Sequence, residues 1–262
     1  MNSIILAAGE GKRLRPLTEN KPKCMIKLFG KSILQWQIDA FTKCGISDIS
    51  VVTGFKNNVI QIPKLHYYKN ENFSTTNMVE TLFCAKEKLE GSVIVSYGDI
   101  IFEQSILKKL MTSNYPISVV VDINWRKYWK MRFCEPLSDA ESLILDDQNY
   151  ILDIGQKTQD YDNIQAQYIG LMKFQNEGLD ILKNFYNMSK EQAKSGINPL
   201  NHNIPFTQSY MTDLLRGIIN YGCKVKAIPV NNGWLEIDSI QDYNLYQEKY
   251  THNDISDFFN PN

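Results

Sequence analysis

The chain opens on an unbroken apolar run, Ile4-Ile-Leu-Ala-Ala8, which stops at Gly9 and Gly11. That pattern predicts a strand buried on both faces and breaking into a turn. Ser32-Ile-Leu-Gln-Trp-Gln-Ile-Asp-Ala-Phe41 then sets Ile33, Trp36 and Ala40 on one face of a helix capped by Ser32 and ended by Cys44-Gly45. Residues 49–53 and 92–96 predict further core strands, each closed by a glycine (Gly54, Gly98), with a short strand at 65–68 and a capped helix over 75–86. Strands alternating with helices imply a parallel sheet with right-handed crossovers and ligands at the carboxyl ends of its strands.

The second half has a different rhythm. Residues 118–122 predict a strand, 125–141 an irregular polar and aromatic insertion, and 150–155 and 166–174 the strands of an antiparallel extension. Helices are expected over 178–188 and 210–220, and a late strand over 225–230. No repeat or linker interrupts the chain, so residues 1–250 are expected to form a single domain. Residues 251–262 are expected to form a polar tail in which Phe258-Phe259 could dock.

Composition narrows the class. With 43% hydrophobic and 22% charged residues in 262, the chain has the make-up of a soluble globular protein. A net charge of −1 gives no basic field for nucleic acid, so any local cationic cluster must serve a small anion. A core strand at the start of the sequence leads us to expect no signal peptide, and no apolar run approaches the eighteen residues of a membrane span. Five cysteines without a CxxC pair suggest free thiols, hence a cytoplasmic protein. The histidines (66, 202, 252) are scattered, and none is assigned a role.

Within fifteen residues of the strand end stand the cations Lys12, Arg13, Arg15 and, behind a proline, Lys23. A strand end (Leu6, Ala7, Ala8), bare amides at Gly9 and Gly11, and these cations make a triphosphate cradle. Walker A spacing is absent, because Arg13 follows Gly11-Lys12. The dinucleotide fingerprint fails at Leu14, where a small residue is required. The run Leu-Ala-Ala-Gly-x-Gly-x-Arg-Leu-x-Pro-Leu-Thr, with Pro-Lys downstream, instead resembles the signature of nucleotidyltransferases that activate sugar 1-phosphates and related phosphoesters. The resemblance implies a Rossmann-like, three-layer α/β fold with a mostly parallel mixed sheet and a small antiparallel extension. Residues 1–117 would be its nucleotide half and 118–250 its acceptor half.

Two acidic positions complete the constellation. Asp99 follows a predicted strand at Gly98, and Trp234-Leu-Glu-Ile-Asp238 places a second carboxylate beyond a late strand. In the resembled family, aspartates in these two settings share a metal, which assigns Asp99 and Asp238 to Mg²⁺, with Glu236 beside them for substrate or structure. In the expected reaction a phosphate oxygen attacks the α-phosphorus of a nucleoside triphosphate in line and pyrophosphate leaves. The nucleophile is already an anion, so catalysis is positioning and electrostatics. Arg13 and the Gly9 and Gly11 amides are assigned to the β- and γ-phosphates, and Lys23 to the α-phosphate and the incoming phosphate.

The acceptor segments are unlike those of hexose-1-phosphate enzymes. They look more like the subgroup resembling phosphocholine and 2-aminoethylphosphonate cytidylyltransferases, which includes capsule-modifying relatives and so implies cell-surface polysaccharide biosynthesis. Thr76 and Asn77, at a helix start that fits that subgroup, are expected near the base. Lys157 is matched to the acceptor's phosphate. Trp125, Trp129 and Tyr168 offer π-faces, and Asp122, Asp139 and Glu141 offer negative charge for a cationic amine. Arg126 and Arg132 suit an extra anionic group on the acceptor, or else structural ion pairs within a packed lid. The expectation is CTP plus a small phosphate or phosphonate acceptor (phosphocholine, aminoethylphosphonate or a phosphorylated amino acid), with a homodimer left open and neither nucleic acid nor membrane as partner. The alternatives weighed are a sugar-1-phosphate nucleotidyltransferase using UTP or dTTP, a non-catalytic nucleotide sensor, and a glycosyltransferase, which would not need a triphosphate clamp.

Overall fold

Strand β1 (Asn2–Ala7) is buried at every position. Its side chains divide between two cores: Ile5 and Ala7 lie on one face of the sheet, Ile4 and Leu6 on the other, with the two-residue period of a strand. The structure, a computed structural model, describes residues 1–261. After β1 come β2 (Lys27–Leu28), β3 (Lys31–Ser32), α1 (Ile33–Lys43), β4 (Ile49–Thr53), β5 (His66–Lys69), α2 (Met78–Phe83), β6 (Ser92–Tyr97), β7 (Ile100–Phe102) and α3 (Gln104–Met111). The second half supplies β8 (Ile117–Asp122), α4 (Trp125–Arg132), β9 (Glu141–Leu145), β10 (Ile151–Lys157), β11 (Gln167–Gln175), α5 (Glu177–Gln192), α6 (Met211–Asn220), β12 (Lys226–Val230), β13 (Trp234–Glu236) and α7 (Ile240–Thr251).

Seven strands form one mixed sheet in the order β12-β8-β11-β6-β1-β4-β5. Strands β6, β1, β4 and β5 run parallel, as do β12 and β8. Only β11 opposes its neighbours β6 and β8. Helices cover both faces. Leu34 and Phe41 of α1, Leu110 of α3, Trp125 of α4 and Tyr246 of α7 fill one core, whereas Val79 of α2, Leu182 of α5 and Leu214 of α6 fill the other. The result is a three-layer α/β fold. Three antiparallel pairs among the described residues stand apart from the sheet: β2 with β3, β9 with β10 and β7 with β13.

Several expectations change. The helix expected over 75–86 begins at Met78, because Thr75 N–H and the Thr76 hydroxyl both donate to the Asn72 carbonyl and hold a turn open ahead of it. The segment 125–141 is irregular only in part: Trp125, Tyr128, Trp129 and Arg132 lie on one buried stripe at helical spacing and form α4. Residues 166–174 do not join an antiparallel extension; as β11 they occupy the middle of the main sheet, since both faces are apolar and both must be covered. The buried face of α1 runs through Ile33, Leu34, Gln37, Ala40 and Phe41, leaving Trp36 half-buried. In the tail, Phe258 and Phe259 are buried and join the first core, where Phe259 meets Phe29 and Trp36.

Candidate active site

The loop after β1 is held by its glycines. Gly11 has φ 66°, a left-handed conformation, and a Cβ there would approach the Lys23 Cβ to 3.0 Å. Glycine thus lets the Lys23 segment pass beneath the loop. Thr18 Oγ1 donates to the Gly11 carbonyl at 2.8 Å, and buried Leu14 anchors the following turn in the core. Across the sheet, Gly98 N–H donates to the Leu6 carbonyl at 2.9 Å. A Cβ on Gly98 would fall 2.5 Å from that same oxygen. Only glycine permits the approach that brings Asp99 beside the loop.

Asp99 is clamped from below. Gln37, fully buried on α1, donates through Nε2 to the carbonyls of Tyr97 and Ile100, both at 2.8 Å, and its Oε1 accepts from the Ser96 hydroxyl. The pairing of β7 with β13 then solves a problem of sequence distance. Ile100 lies opposite Glu236, and Ile237 N–H donates to the Asp99 carbonyl at 3.0 Å. Asp99 and Asp238, 139 residues apart in sequence, therefore project from neighbouring backbones.

Between them sits Lys23. Its Nζ donates to Asp99 Oδ2 at 2.8 Å and to Asp238 Oδ1 at 2.7 Å, and Arg13 pairs with Asp238 Oδ2. Burial alone would lower the Lys23 pKa, but the charges of Asp99, Asp238 and Glu236 outweigh it and hold the ammonium above its ordinary value. Asp238 is depressed although burial opposes this, through Lys23 and then Arg13 and Arg132. Glu236 is pushed up to about 7 by burial and by Asp238 and Asp99, against Arg132 and Lys23.

A pocket of about 110 Å³ opens beside this centre. It is lined by the expected Leu6, Ala7, Ala8, Gly9, Lys23, Thr76, Asn77, Gly98 and Asp99, and also by Cys24, Phe73, Met78 and Thr81. Gly11 shapes the loop, whereas Lys12 points outward, its ammonium 3.6 Å from Glu10. Met78 also borders a larger cleft of about 1400 Å³. Of the residues expected at the acceptor, Glu141, Lys157, Tyr168 and Glu236 line that cleft, as do Arg13, Trp129 and Asp139.

Four expected acceptor residues do not. Asp122 is fully buried; it accepts from the N–H groups of Asn124 and Asn232 and from Trp234 Nε1 at 2.9 Å, and so ties the end of β8 to β13. Trp125 is buried in the core with its indole on the Ile164 carbonyl. Arg126 stacks over Tyr161, 4.8 Å from the ring centre, and donates to the Tyr161 carbonyl. The Arg132 side chain is 1% exposed and lies under the site. Its guanidinium grips Asp242 through Nε at 2.9 Å and NH2 at 3.2 Å and reaches Glu236 at 2.8 Å, while Asp242 Oδ2 accepts from the backbone of Asp238 and Ser239. A cation expected to meet the substrate instead fixes the strand end that presents Asp238.

Gln37, Tyr97, Phe73 and Asp242 were not anticipated. Gln37 had a signal, a lone amide on an apolar helix stripe. Tyr97, edge-on to Tyr168 at 5.7 Å and facing the cleft, had none beyond its place before Gly98. All five cysteines are free, and no helix among the described residues is long and apolar enough to cross a membrane.

Comparison with known proteins places this geometry. Residues 3–139 match the MobA-like NTP transferase domain. The chain is 38% identical over 260 residues to the CTP:phosphoglutamine cytidylyltransferase of Campylobacter jejuni, covering 95% of this chain and all of that one. It is 32% identical over 119 residues to the choline-phosphate cytidylyltransferase of Streptococcus pneumoniae, covering 44% of this chain and 52% of the relative. The solved structure of the S. pneumoniae CTP:phosphocholine cytidylyltransferase superposes with a TM-score of 0.72 at 22% identity, covering 95% of this chain and 98% of that one. That likeness speaks for the fold.

Proposed function

The chain belongs to the MobA-like NTP transferase family, and we propose that it is a CTP-dependent cytidylyltransferase that moves CMP onto a phosphorylated acceptor of the phosphoglutamine kind and releases pyrophosphate. The observation that carries the chemistry is Lys23, held between Asp99 and Asp238 at the mouth of the glycine loop. The acceptor class is supported by identity to the phosphoglutamine enzyme along nearly the whole chain.

An oxygen of the acceptor's phosphoryl group attacks the α-phosphorus of CTP as the bond to the β-phosphate oxygen breaks, and the electron pair leaves with pyrophosphate. Lys23 serves the α-phosphate, where negative charge from both reactants is greatest. Arg13, mostly exposed and paired with Asp238, is placed to turn onto the β- and γ-phosphates together with the Gly9 and Gly11 amides. Asp99 and Asp238 fit a hard divalent cation: Asp99 Oδ1 is buried without a hydrogen-bond partner, and two carboxylates with substrate oxygens are the usual protein share of a magnesium site. Magnesium there would offset the charge of the triphosphate. Thr76 and Asn77, at the start of α2, face the small pocket that the cytidine would enter.

The test is pyrophosphate release with Mg²⁺ from CTP, UTP, dTTP, ATP and GTP, each against phosphoglutamine, phosphocholine and glucose 1-phosphate, with Asp99→Asn as control. Turnover with CTP and phosphoglutamine, lost in the variant, supports the reading. Turnover confined to glucose 1-phosphate with UTP or dTTP overturns it.

A further inference from the structure

The wall of the large cleft contains a carboxylate with no bonded partner. Glu141 and Lys157 are direct cross-strand partners in the β9–β10 pair, so their side chains leave the same face of the ribbon, and both line the cleft. Opposite charges in that register normally close an ion pair. Here they do not: Lys157 Nζ donates to the Asp139 carbonyl at 3.2 Å, and the Glu141 carboxylate has neither a hydrogen bond nor an ion pair among the described residues. The Glu141 backbone, by contrast, is fixed, because its N–H donates to Gln167 and its carbonyl accepts from Gln167. Burial pushes the Glu141 carboxyl above its ordinary value; Lys157 and Arg216 oppose this, while Asp139 and Asp213 add to it. A half-buried carboxylate that lacks a hydrogen bond, on a backbone fixed at both its N–H and its carbonyl, is set up to receive a cation.

Resting on the acceptor class proposed above, we infer that Glu141 and Lys157 form the subsite for the α-amino acid head of the acceptor, Glu141 taking its ammonium and Lys157 its carboxylate. A zwitterion carries both charges on one carbon, and the ribbon offers the complementary pair on adjacent strands. The assignment also moves Lys157 from the acceptor's phosphate to its other end. The phosphoryl end must lie at Lys23, whose charged neighbours are Asp99, Asp238 and Glu236. The groups around Glu141 are Lys157, Asp139, Asp213 and Arg216, a separate set. Tyr97 links the two in space: it stands two residues before Asp99, packs edge-on against Tyr168, and lines the cleft together with Glu141 and Lys157. The acceptor would thus lie along Tyr97 and Tyr168, phosphate toward Lys23 and amino acid head toward the ribbon.

Steady-state kinetics with CTP and Mg²⁺ test the subsite, using phosphoglutamine and its analogues lacking either the α-amino or the α-carboxyl group. Glu141→Gln should raise KM for phosphoglutamine roughly ten- to a hundredfold and leave KM for the des-amino analogue where the wild type has it. Lys157→Met should show the mirror pattern, indifferent only to the des-carboxy analogue. CTP affinity by calorimetry should be the same in both variants, which shows that they fold. Equal losses on all three acceptors would overturn the subsite while leaving the cytidylyltransferase reading intact. A wild type that uses phosphocholine but not phosphoglutamine would overturn the acceptor reading and the subsite together.

Discussion

Residues 6–24 supply much of the nucleotide pocket from one strand end and the loop that follows it, whereas the acceptor cleft gathers side chains from α4, β9, β10, β11, α6 and β13. The first site is made largely of backbone: amides, glycines, and a lysine whose path depends on a missing Cβ. The second is made of side chains whose direction depends on what each element packs against. Arg132 shows the consequence. Its sequence neighbourhood, aromatic and basic, suited a substrate-facing cation, yet the stripe that makes α4 a helix turns Arg132 inward onto Glu236 and Asp242.

The largest expected effect tests the join between the two regions. Arg132→Met would leave Glu236 and Asp242 buried without their cation, a loss of about 3–5 kcal/mol. The melting temperature should fall by roughly 10 °C. Because Asp242 holds the backbone of Asp238 and Ser239, the variant should also need more Mg²⁺ for half-maximal rate and show weaker Mg²⁺·CTP binding by calorimetry. Arg132→Lys keeps the charge but not the two-pronged grip, and should fall between. An unchanged melting temperature in Arg132→Met would mean that the two regions are not joined through this residue.

Next comes the nucleotide side alone. Lys23→Met should cut kcat/KM roughly 10²–10³-fold, about 3–4 kcal/mol of transition-state stabilisation, and do so equally for every acceptor tried. A loss confined to one acceptor would blur the division between the regions. Gln37→Leu should be milder. It strips partners from the Tyr97 and Ile100 carbonyls and the Ser96 hydroxyl, costing about 1–3 kcal/mol in stability. Looser placement of Asp99 should lower kcat about tenfold with little change in acceptor KM. A kcat equal to that of the wild type would reduce Gln37 to a packing residue.

What was legible in the sequence follows the same division. The strand end at Leu6–Ala8, the glycine loop and the strand at 92–96 leading to Asp99 were readable, because a run of apolar residues ending in glycine constrains backbone directly. The pairing of Asp99 with Asp238 was reached by resemblance, not by spacing. Its physical cause, the short β7–β13 ladder, involves three residues on each strand and leaves almost no periodic signal. Strand β11 was found but misplaced, since an apolar run reports burial on both faces without saying which neighbours supply it. Asp122 and Trp125 suggest substrate contacts in the sequence because polar and aromatic residues suit a ligand. Their partners, Trp234 and the Ile164 carbonyl, lie 112 and 39 residues away and cannot be inferred locally.

The smallest expected effect bears on the sharpest disagreement between composition and structure. Arg126, adjacent to Trp125 and rich in donors, was a natural candidate for an anionic acceptor group. The fold commits it elsewhere: its guanidinium covers the Tyr161 ring and hydrogen-bonds the Tyr161 carbonyl, and Tyr161 stacks on Trp125. Arg126→Ala should therefore lose less than about 1 kcal/mol of stability, the scale of an exposed cation–π contact, and leave kcat and the KM of both substrates within experimental error. Set beside Lys157→Met, it compares two cations that the sequence assigned to different anionic groups of the acceptor, of which only Lys157 lines the cleft. A tenfold rise in acceptor KM for Arg126→Ala would mean that the short turn at Tyr161 moves onto the substrate when it binds, and that the acceptor wall extends past the ribbon.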